Sequence, residues 1–462
     1  MNNGKSTYLS LANLRARIAF EKYRFFLPQT ISDYRRLLTH EKMSADELRE
    51  FNFERRKEIL FYAYENSIYY RRRFNDLGFS PNDVQKEEDW NLVPILTKQN
   101  VRDYFDEIQA SSIPRSRVFI RTTGGSTGVP LKTLGDRSSS HHALGWRARK
   151  WWGVPILCDY VACGRSPEKT SFLGRLKKWP IYVCVLNASC MTEESCSAFV
   201  QKVREIKPLM FYGYAGGISQ FAQFCLDNKI EFNNFSAIVT TSSPISFVQK
   251  EFIEKALNAP VYDQYGCVEI NWLALQCQRR GGLHINSDER HIEFLSENNQ
   301  TQVPVGALGN ITVTDFGNRV FPLIRYQMGD MGKAMAGQCE CGLPFPLMES
   351  VRGRVSDSLF FPNGTVIAGE YATTLFDAFP EAVKAFQVYQ KADYSVELRI
   401  VPNLNHVNSQ NQIEQVRQKF QQLIGSTPLT VVSVSEIPHD RGKTRFVISE
   451  VNSSTVRNCP TS

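Results

Sequence analysis

Residues 118–132 have the sequence VFIRTTGGSTGVPLK, in which an aromatic and β-branched run leads directly into a loop of Gly, Ser and Thr. The first three residues predict a strand. The glycines allow backbone N–H groups to converge without interference from Cβ atoms, and the hydroxyl side chains add further donors. The loop is therefore a candidate cradle for a phosphate group, although such loops are also typical of ordinary flexible turns.

This loop is not a Walker A motif. No Lys-Ser/Thr pair follows Gly128, and the first lysine after it is Lys132, beyond a proline. Phosphate binding therefore needs support from other parts of the chain.

Downstream of the loop, short apolar runs alternate with helical patterns. The runs cover 160–162, 182–186, 209–212 and 237–241, and the helical patterns include 197–206 and 218–226. This alternation predicts a parallel sheet covered by helices. Between residues 281 and 321, strands broken by Gly, Asn and Pro follow one another without helices, which predicts an antiparallel or barrel-like subdomain.

The two ends of the chain have different patterns. The first hundred residues predict helices, including one over 54–74 and another capped by Thr97, whereas the last hundred mix strands with a Gln-rich helix over 410–424. The predicted fold class is α/β. A large N-terminal domain has helix-covered parallel sheets and a small barrel-like subdomain, and a small mobile α+β C-terminal domain follows. The predicted divisions are 1–100 (N-terminal helical part of the large domain), 101–354 (core of the large domain) and 355–462 (C-terminal lid).

Composition limits the class of protein. A chain of 462 residues with 42% hydrophobic and 22% charged residues predicts a globular protein of two or more domains. The net charge of +7 is spread along the chain, which argues against nucleic acid as a partner. No apolar run is long enough to predict a membrane span. A basic helix over 9–26 packs on the protein or touches a membrane surface.

Arg15 and Arg17 interrupt the N-terminal stretch, so it does not resemble a signal peptide. The eleven cysteines, an odd number, favour reduced thiols and a metal site over disulfides. We therefore expect a cytoplasmic protein. Nothing in the sequence specifies an oligomeric state.

Three later segments have residue types that would complete a nucleotide site. Tyr265 and Gly266 offer an aromatic face and a close backbone approach to a base, and Glu269 could hold a magnesium ion. Asp330 could accept hydrogen bonds from both ribose hydroxyls, and Lys443 lies on a Gly-bearing loop from which it could reach a phosphate or carboxylate. Taken singly, each segment is equally well explained as a turn or a solvated side chain.

The order and spacing of these segments resemble the adenylate-forming superfamily of acyl-CoA synthetases, luciferases and peptide-synthetase adenylation domains. Within it, the chain is most similar to the phenylacetate-CoA ligase-like branch, and specifically to its capsular-polysaccharide-biosynthesis proteins. The lead-in Val93-Pro94-Ile95-Leu96-Thr97-Lys98 also resembles that branch. The resemblance extends from residue 55 to the end of the chain.

The resemblance implies that the loop binds the β- and γ-phosphates of ATP. The residues it assigns to this role are Thr123, Ser126, Thr127, Gly128 and Lys132.

The other nucleotide contacts are also implied by the resemblance. Tyr265 and Gly266 would flank the adenine, Glu269 would coordinate Mg²⁺, and Asp330 would bind the ribose. Arg354 would contact the nucleotide at the domain boundary. Lys443 would be the mobile catalytic lysine. Many relatives have Asp directly after Gly-Arg-x, but this chain has Ser356 there and Asp357 next, so both residues are candidates for the hinge.

The implied reaction is ATP-dependent activation of a carboxylic acid as an acyl-AMP with release of pyrophosphate. Transfer to an external acceptor follows, and the usual acceptor in the family is the thiol of coenzyme A. An amide- or ester-forming ligase acting on a sugar or amino acid is an alternative, as is a non-catalytic nucleotide-binding assembly protein. The acid pocket is expected between the helix after residues 213–217 and the Tyr265 loop.

A second group of residues suggests a metal site. Cys277, His284, Cys339 and Cys341 provide three thiolates and one imidazole, a set suited to structural Zn²⁺. The resemblance supports zinc, because some members of the branch bind it in this region. The alternative is that the four residues are unrelated.

Overall fold

The structure is a computed structural model. It describes residues 3–26, 28–122, 131–137, 139–164, 179–188, 191–242, 245, 247–296, 301–351, 353–354, 359–361, 366–367, 375–376, 379, 382–404, 406–440, 443–444 and 447–451. Side chains are described for these residues except 3–14, 248, 353–354, 360, 366–367, 439–440 and 443–444.

Helices predominate in the N-terminal part and also cover the sheets. They are α1 (Asn3–Phe26), α2 (Pro28–His40), α3 (Ala45–Asn66), α4 (Ile68–Asp76), α5 (Lys98–Asp103), α6 (Phe105–Ile108), α7 (His141–Trp151), α8 (Glu193–Ile206), α9 (Ala215–Asp227), α10 (Phe247–Leu257) and α11 (Ser409–Ile424). Among the described residues, no helix is both long and apolar enough to span a bilayer.

The predicted helix over 54–74 is instead two helices. Ser67 separates α3 from α4 with an extended backbone (φ −117°, ψ 127°), and its hydroxyl donates to the carbonyl of Glu107 at 2.9 Å. The prediction for Thr97 is confirmed, because its hydroxyl accepts a hydrogen bond from the backbone N–H of Asn100 at the start of α5.

The largest sheet combines parallel and antiparallel strands. Its parallel part has the order β4-β3-β5-β6-β7, and antiparallel strands continue it as β8-β9-β14-β13. The parallel strands are β3 (Tyr160–Gly164), β4 (Val183–Asn187), β5 (Met210–Tyr214), β6 (Ala237–Thr241) and β7 (Val261–Tyr265), and the others are β8 (Ala274–Gln276), β9 (Leu283–Ile285), β13 (Ala334–Met335) and β14 (Leu347–Met348). The helix-covered parallel sheet is therefore confirmed.

Side chains of the parallel strands alternate between two cores. Phe211 packs in a core with Phe199 of α8 and Phe221 of α9. Its neighbour Met210 packs in another core with Trp152, just after α7. The sheet therefore has α8 to α10 on one face and α7 on the other.

A second sheet follows the parallel one. It consists of β10 (Arg290–Leu295), β11 (Gly309–Asp315), β12 (Tyr326–Gly332) and β15 (Gly353–Arg354), all antiparallel. The antiparallel prediction is confirmed. Among the described residues this sheet is open and does not close into a barrel, because no ladder joins β10 to β15.

The C-terminal part has a hydrophobic core of its own, which includes Phe386, Leu398 and Phe420. Its sheet has the order β20-β19-β18-β23, and α11 packs against it. The strands are β18 (Val383–Gln390), β19 (Val396–Pro402), β20 (Leu429–Ser433) and β23 (Val447–Ser449). Three hairpins complete the structure: β1 (Val118–Thr122) with β2 (Lys132–Asp136), β16 (Leu359–Phe360) with β17 (Val366–Ile367), and β21 (His439–Asp440) with β22 (Lys443–Thr444). The boundary at residue 355 and the mobility of this part stay predictions.

Candidate nucleotide and acid site

The predicted phosphate loop connects the two strands of a hairpin. β1 and β2 pair antiparallel with Thr122 opposite Lys132. Thr123, Ser126, Thr127 and Gly128 lie outside the described residues, so their roles stay predictions. At the base of the loop, Arg121 donates from Nη1 to the carbonyl oxygen of Glu269 at 2.8 Å. The loop therefore begins beside the segment predicted to hold Mg²⁺.

Two of the predicted nucleotide-binding residues are in direct contact. Tyr265 ends β7, and its hydroxyl donates to Oδ2 of Asp330 on β12 at 2.9 Å. Gly329, which precedes Asp330, has φ +76°, and the ladder between β12 and β11 shifts register in this region. Such bulges change the direction of neighbouring side chains. The Tyr265 loop and β12 therefore meet at the carboxyl edge of the parallel sheet, where α/β proteins commonly bind ligands.

Arg354 is brought to the same place by strand pairing. Its Cα is the partner of Asp330 in the ladder between β12 and β15. The side chain of Arg354 is not described, so its contact with a nucleotide stays a prediction.

Glu269 is a buried carboxylate beside this contact. Its Oε1 accepts a hydrogen bond from the hydroxyl of Tyr326 at 3.2 Å. Burial and the charge of Glu269 raise the pKa of Tyr326, so the phenol stays protonated and donates. Burial and Glu269 also raise the pKa of Cys267 well above its usual range. The carboxylate of Glu269 therefore has two uncharged neighbours, Tyr326 and Cys267, and the cation of Arg121 is also nearby.

Gly266 is required by close packing in the turn after β7. A Cβ atom at this position would lie 3.0 Å from the backbone nitrogen of Trp272. Trp272 itself has φ +57°, a conformation that bulky residues rarely adopt. In this turn, the backbone of Trp272 therefore packs against Gly266, the residue after Tyr265.

The segment of Lys443 lies against the large domain. Lys443 is in β22 opposite Asp440, and β22 contacts α9, the helix that directly follows β5. The side chain of Lys443 is not described, and the hinge candidates Ser356 and Asp357 lie outside the described residues.

The four predicted zinc ligands come together. The ligand atoms of Cys277, His284, Cys339 and Cys341 all lie within 4.8 Å of one another. The Sγ atoms of Cys277 and Cys339 are 3.6 Å apart, and Sγ of Cys341 is 3.3 Å from Nε2 of His284. A zinc tetrahedron with ordinary bond lengths has edges of about 3.5 to 3.8 Å. The set therefore fits a closed tetrahedral site.

The second nitrogen of His284 supports the same interpretation. Nδ1 of His284 lies 3.4 Å from the carbonyl oxygen of Phe345, which is an acceptor for an Nδ1–H proton. This tautomer leaves the lone pair of Nε2 directed at the thiols, as is usual for a metal-bound histidine.

A cavity of about 280 Å³ lies between α7 and the parallel sheet. Its helical wall is formed by His141, Gly145, Arg149 and Trp152, which share one face because they are spaced at three or four residues. Burial lowers the pKa of His141 to about 3, and the neighbouring His142, Arg121 and Arg290 contribute to this shift. The imidazole is therefore neutral at physiological pH.

The opposite wall comes from the sheet and from the turn after Tyr265. The sheet residues are Tyr160, Met210, Tyr212 and Gln264, and the turn contributes Asn271 and Trp272. The acid pocket between α9 and the Tyr265 loop stays a prediction. This cavity lies on the other face of the sheet from the core that Phe211 forms with α8 and α9.

Comparison with known proteins agrees with this geometry. The chain is 35% identical over 344 residues to a phenylacetate-coenzyme A ligase of Aromatoleum evansii, covering 69% of this chain and 73% of that protein. The chain belongs to the phenylacetate-coenzyme A ligase family. It is thus an adenylate-forming ligase, as the resemblance implied. It is also 22% identical to Protein CapK of Staphylococcus aureus over 423 residues, which cover 88% of this chain and 90% of CapK.

The fold of this ligase is shared with a solved structure. That structure is 2-hydroxyisobutyryl-CoA ligase in the postadenylation state with R3-HIB-AMP, with a TM-score of 0.73 and 20% identity. The match covers 90% of this ligase and 92% of that chain. A scan against models of protein families finds no match.

Sequence reasoning missed several residues of this ligase's site. Tyr326 lies inside the motif that was used for Asp330, and Arg121 directly precedes the Thr/Gly loop, so both had a positional signal. The positional signal for His141 and Arg149 was weaker. They are eight residues apart, so they share one face of a helix, and Gly145 between them has no side chain to fill that face.

Proposed function

We propose that this ligase uses ATP to activate a carboxylic acid as an acyl-adenylate with release of pyrophosphate. The observation that carries the proposal is the hydrogen bond between Tyr265 and Asp330, beside the buried Glu269 and the base of the Thr/Gly loop. Residues distant in sequence thereby form one polar edge next to a cavity. That edge suits a nucleotide, and the cavity suits an acid.

We propose that residues of this chain bind the phosphates and the ribose of the nucleotide. The loop residues Thr123, Ser126, Thr127 and Gly128, with Lys132 at the loop base, bind the β- and γ-phosphates through N–H, hydroxyl and ammonium donors. Asp330 accepts hydrogen bonds from the ribose.

At the other end, Tyr265 and Gly266 flank the adenine, and Arg354 contacts the nucleotide from β15. These contacts orient the α-phosphate toward the cavity, so that the bound carboxylate approaches it in line.

Glu269 fits the magnesium role because it is a buried carboxylate next to the phosphate loop, and the side chains of Tyr326 and Cys267 beside it are uncharged. Mg²⁺, when bound, offsets the negative charge of the phosphates. Glu269 holds its carboxylate in one orientation through Tyr326.

Lys443 supplies the positive charge that chemistry at the α-phosphate requires. One carboxylate oxygen attacks the α-phosphorus while the bond to pyrophosphate breaks, and negative charge builds up on the phosphoryl oxygens. The Lys443 ammonium stabilises that charge. The contact of β22 with α9 supports this role in part, because it brings the segment of Lys443 against the large domain.

The second step is transfer of the acyl group to an external acceptor, for which we propose the thiol of coenzyme A. The thiol attacks the carbonyl carbon, and AMP leaves. Support comes from the family and from the solved fold neighbour, whose name describes a CoA ligase. Rotation of the C-terminal part about Ser356 or Asp357 would remove Lys443 and admit the acceptor.

An amine of a sugar or an amino acid is the second candidate acceptor. A role in surface polysaccharide assembly rests on the resemblance stated from the sequence, and acceptor screening with amines and coenzyme A would separate the two. We also propose a structural zinc ion at Cys277, His284, Cys339 and Cys341, held by the donor set described above. Thiolate ligands need a reducing compartment, which supports the cytoplasm.

The test is acid-dependent exchange of labelled pyrophosphate into ATP. We expect exchange with a suitable acid, and a loss of about a hundred- to a thousandfold in Lys443→Ala. Lys419→Ala is the matched control, since Lys419 is an exposed lysine of α11 in the same C-terminal part. The proposal fails if a broad acid panel gives no exchange, or if Lys443→Ala behaves like Lys419→Ala.

A further inference from the structure

The cavity under α7 has one end at the carboxyl edge of the parallel sheet, next to Tyr265, and the other end at the opposite edge of the sheet. Its near end is formed by His141, at the start of α7, with Gln264 and Asn271. Arg149 is eight residues further along the helix, a distance of about 12 Å. The guanidinium of Arg149 lies over the ring of Tyr160, the first residue of β3, at 5.2 Å from its centroid. The cavity therefore runs along the strands from their carboxyl ends to their amino ends.

Arg149 is the charged group of this cavity. Its Nη1 donates to the carbonyl oxygen of Ile156 at 2.7 Å. In the part of the chain that the structure describes, no ion pair joins Arg149 to a carboxylate. Nearby acids have other partners: Asp159 is bound by Arg15 at 2.9 and 3.0 Å, and Glu41 is bound by Lys150.

Among the described residues that line this cavity, none is acidic. A guanidinium has five N–H donors in a fork that matches two oxygens of a carboxylate. A half-buried cation that faces a cavity without a protein counter-ion favours a ligand that brings an anionic oxygen.

The middle of the cavity is aromatic. The rings of Trp152 and Trp272 have centroids 6.3 Å apart, and Tyr212 lies 6.3 Å from Trp272. Trp272 is fixed in its left-handed conformation by Asn286, whose Nδ2 donates to the Trp272 carbonyl oxygen at 2.7 Å. Strained residues held in this way cluster at ligand sites.

Gly145 leaves room for the indole of Trp272. A Cβ atom at this position would lie 3.2 Å from Cζ2 of Trp272. The helix and Trp272 are therefore in contact at this point, and the indole forms an aromatic wall of the cavity against which a flat ring can pack.

We propose that the acid activated by this ligase is an aromatic acid with a second carboxylate at its far end, bound by Arg149. This inference rests on the proposed function. The carboxylate to be activated lies at the His141 and Asn271 end, the ring packs against the wall formed by Trp152, Tyr212 and Trp272, and the second carboxylate accepts hydrogen bonds from Arg149. A cavity of about 280 Å³ is at the small end for ligand pockets and suits a single ring.

The test compares two acids of similar shape in the pyrophosphate exchange assay: 4-carboxyphenylacetate and 4-methylphenylacetate. We expect kcat/KM to be about ten- to a hundredfold higher for the dicarboxylate, because a charge-assisted hydrogen bond replaces an apolar contact. In Arg149→Met this ratio should fall to one or below. Arg149→Lys should keep part of it, because an ammonium retains the charge but not the fork.

Lys150→Met is the matched control. Lys150 is the next residue of α7, is exposed and is bound to Glu41, so its loss should leave the ratio unchanged. Equal kcat/KM for the two acids, or a ratio that survives in Arg149→Met, overturns the inference. Exchange with apolar acids alone overturns it while leaving the proposed function intact, whereas the absence of exchange with any acid overturns both.

Discussion

Glu269 is the residue on which the nucleotide site depends most. It is buried, it accepts a hydrogen bond from Tyr326, and its backbone carbonyl accepts one from Arg121 at the base of the phosphate loop. A buried carboxylate is costly unless it is paired or binds a metal ion. The hydroxyl that contacts its carboxylate, that of Tyr326, is neutral, and Arg121 donates to its backbone carbonyl oxygen, so a bound metal ion can be a partner of its charge.

Replacing Glu269 by Gln should show this dependence. The side chain keeps its shape but loses its charge, so we expect acid-dependent exchange to fall by about a hundred- to a thousandfold and to require more Mg²⁺. Tyr326→Phe removes one hydrogen bond to Glu269 and retains its charge, so the Mg²⁺ requirement should stay near that of the wild type. Titration of Mg²⁺ in the exchange assay measures both, and an unchanged requirement in Glu269→Gln would contradict the assignment.

At the scale of elements, the Cys/His cluster connects two segments that are distant in sequence. Cys277 directly follows β8 and His284 lies in β9, while Cys339 and Cys341 lie in the turn before β14, which pairs with β9. A zinc ion would fix this antiparallel edge of the main sheet.

Cys339→Ser should remove the metal. We expect about one equivalent of zinc in the purified wild-type protein and much less in the variant, together with a lower melting temperature because the turn loses its anchor. Cys184→Ser, which changes a half-buried thiol outside the cluster, should retain the zinc. Elemental analysis and thermal unfolding give the two readouts. A zinc-free wild type whose unfolding is insensitive to chelator would disprove the site.

Element types followed from the sequence because they depend on local patterns. The five parallel strands and the helices between them have the expected periodicity, and Thr97 has an ordinary capping pattern. The break at Ser67 was missed because its cause is a hydrogen bond to Glu107, forty residues away. The cavity under α7 could not be located from the sequence for a similar reason, since its position depends on how the helices pack on the two faces of the sheet.

The residues of the candidate site also differ in whether the sequence could identify them. Tyr265, Glu269 and Asp330 were identified from residue type and order, and the structure brings them together. Tyr326 was missed because only the folded chain shows that its hydroxyl faces Glu269.

At the scale of the whole molecule, the C-terminal part has a separate core and carries Lys443. The two proposed half-reactions need different surroundings at one site: in our proposal the first uses Lys443, and the second needs space for the acceptor. A rotation about a hinge would satisfy both. The hinge candidates are Ser356 and Asp357.

Proline at the hinge should uncouple the half-reactions, because it restricts the backbone rotation. One of the two variants, Ser356→Pro or Asp357→Pro, should affect the hinge. In that variant we expect the rate of pyrophosphate exchange to stay within a few-fold of the wild-type rate and the rate of thioester formation to fall by about tenfold or more. The other variant serves as the control. If both variants retain the wild-type ratio of the two rates, rotation at this place is disproved.

In the proposed reaction, an oxygen atom of the acid attacks the α-phosphate of ATP. An acid labelled with ¹⁸O in its carboxylate reveals this step when turnover with ATP and coenzyme A is analysed by mass spectrometry. We expect one ¹⁸O atom in the AMP released, because the acyl–oxygen bond breaks in the transfer step, and none in pyrophosphate. Label in inorganic phosphate with formation of ADP, or AMP without label, would contradict it.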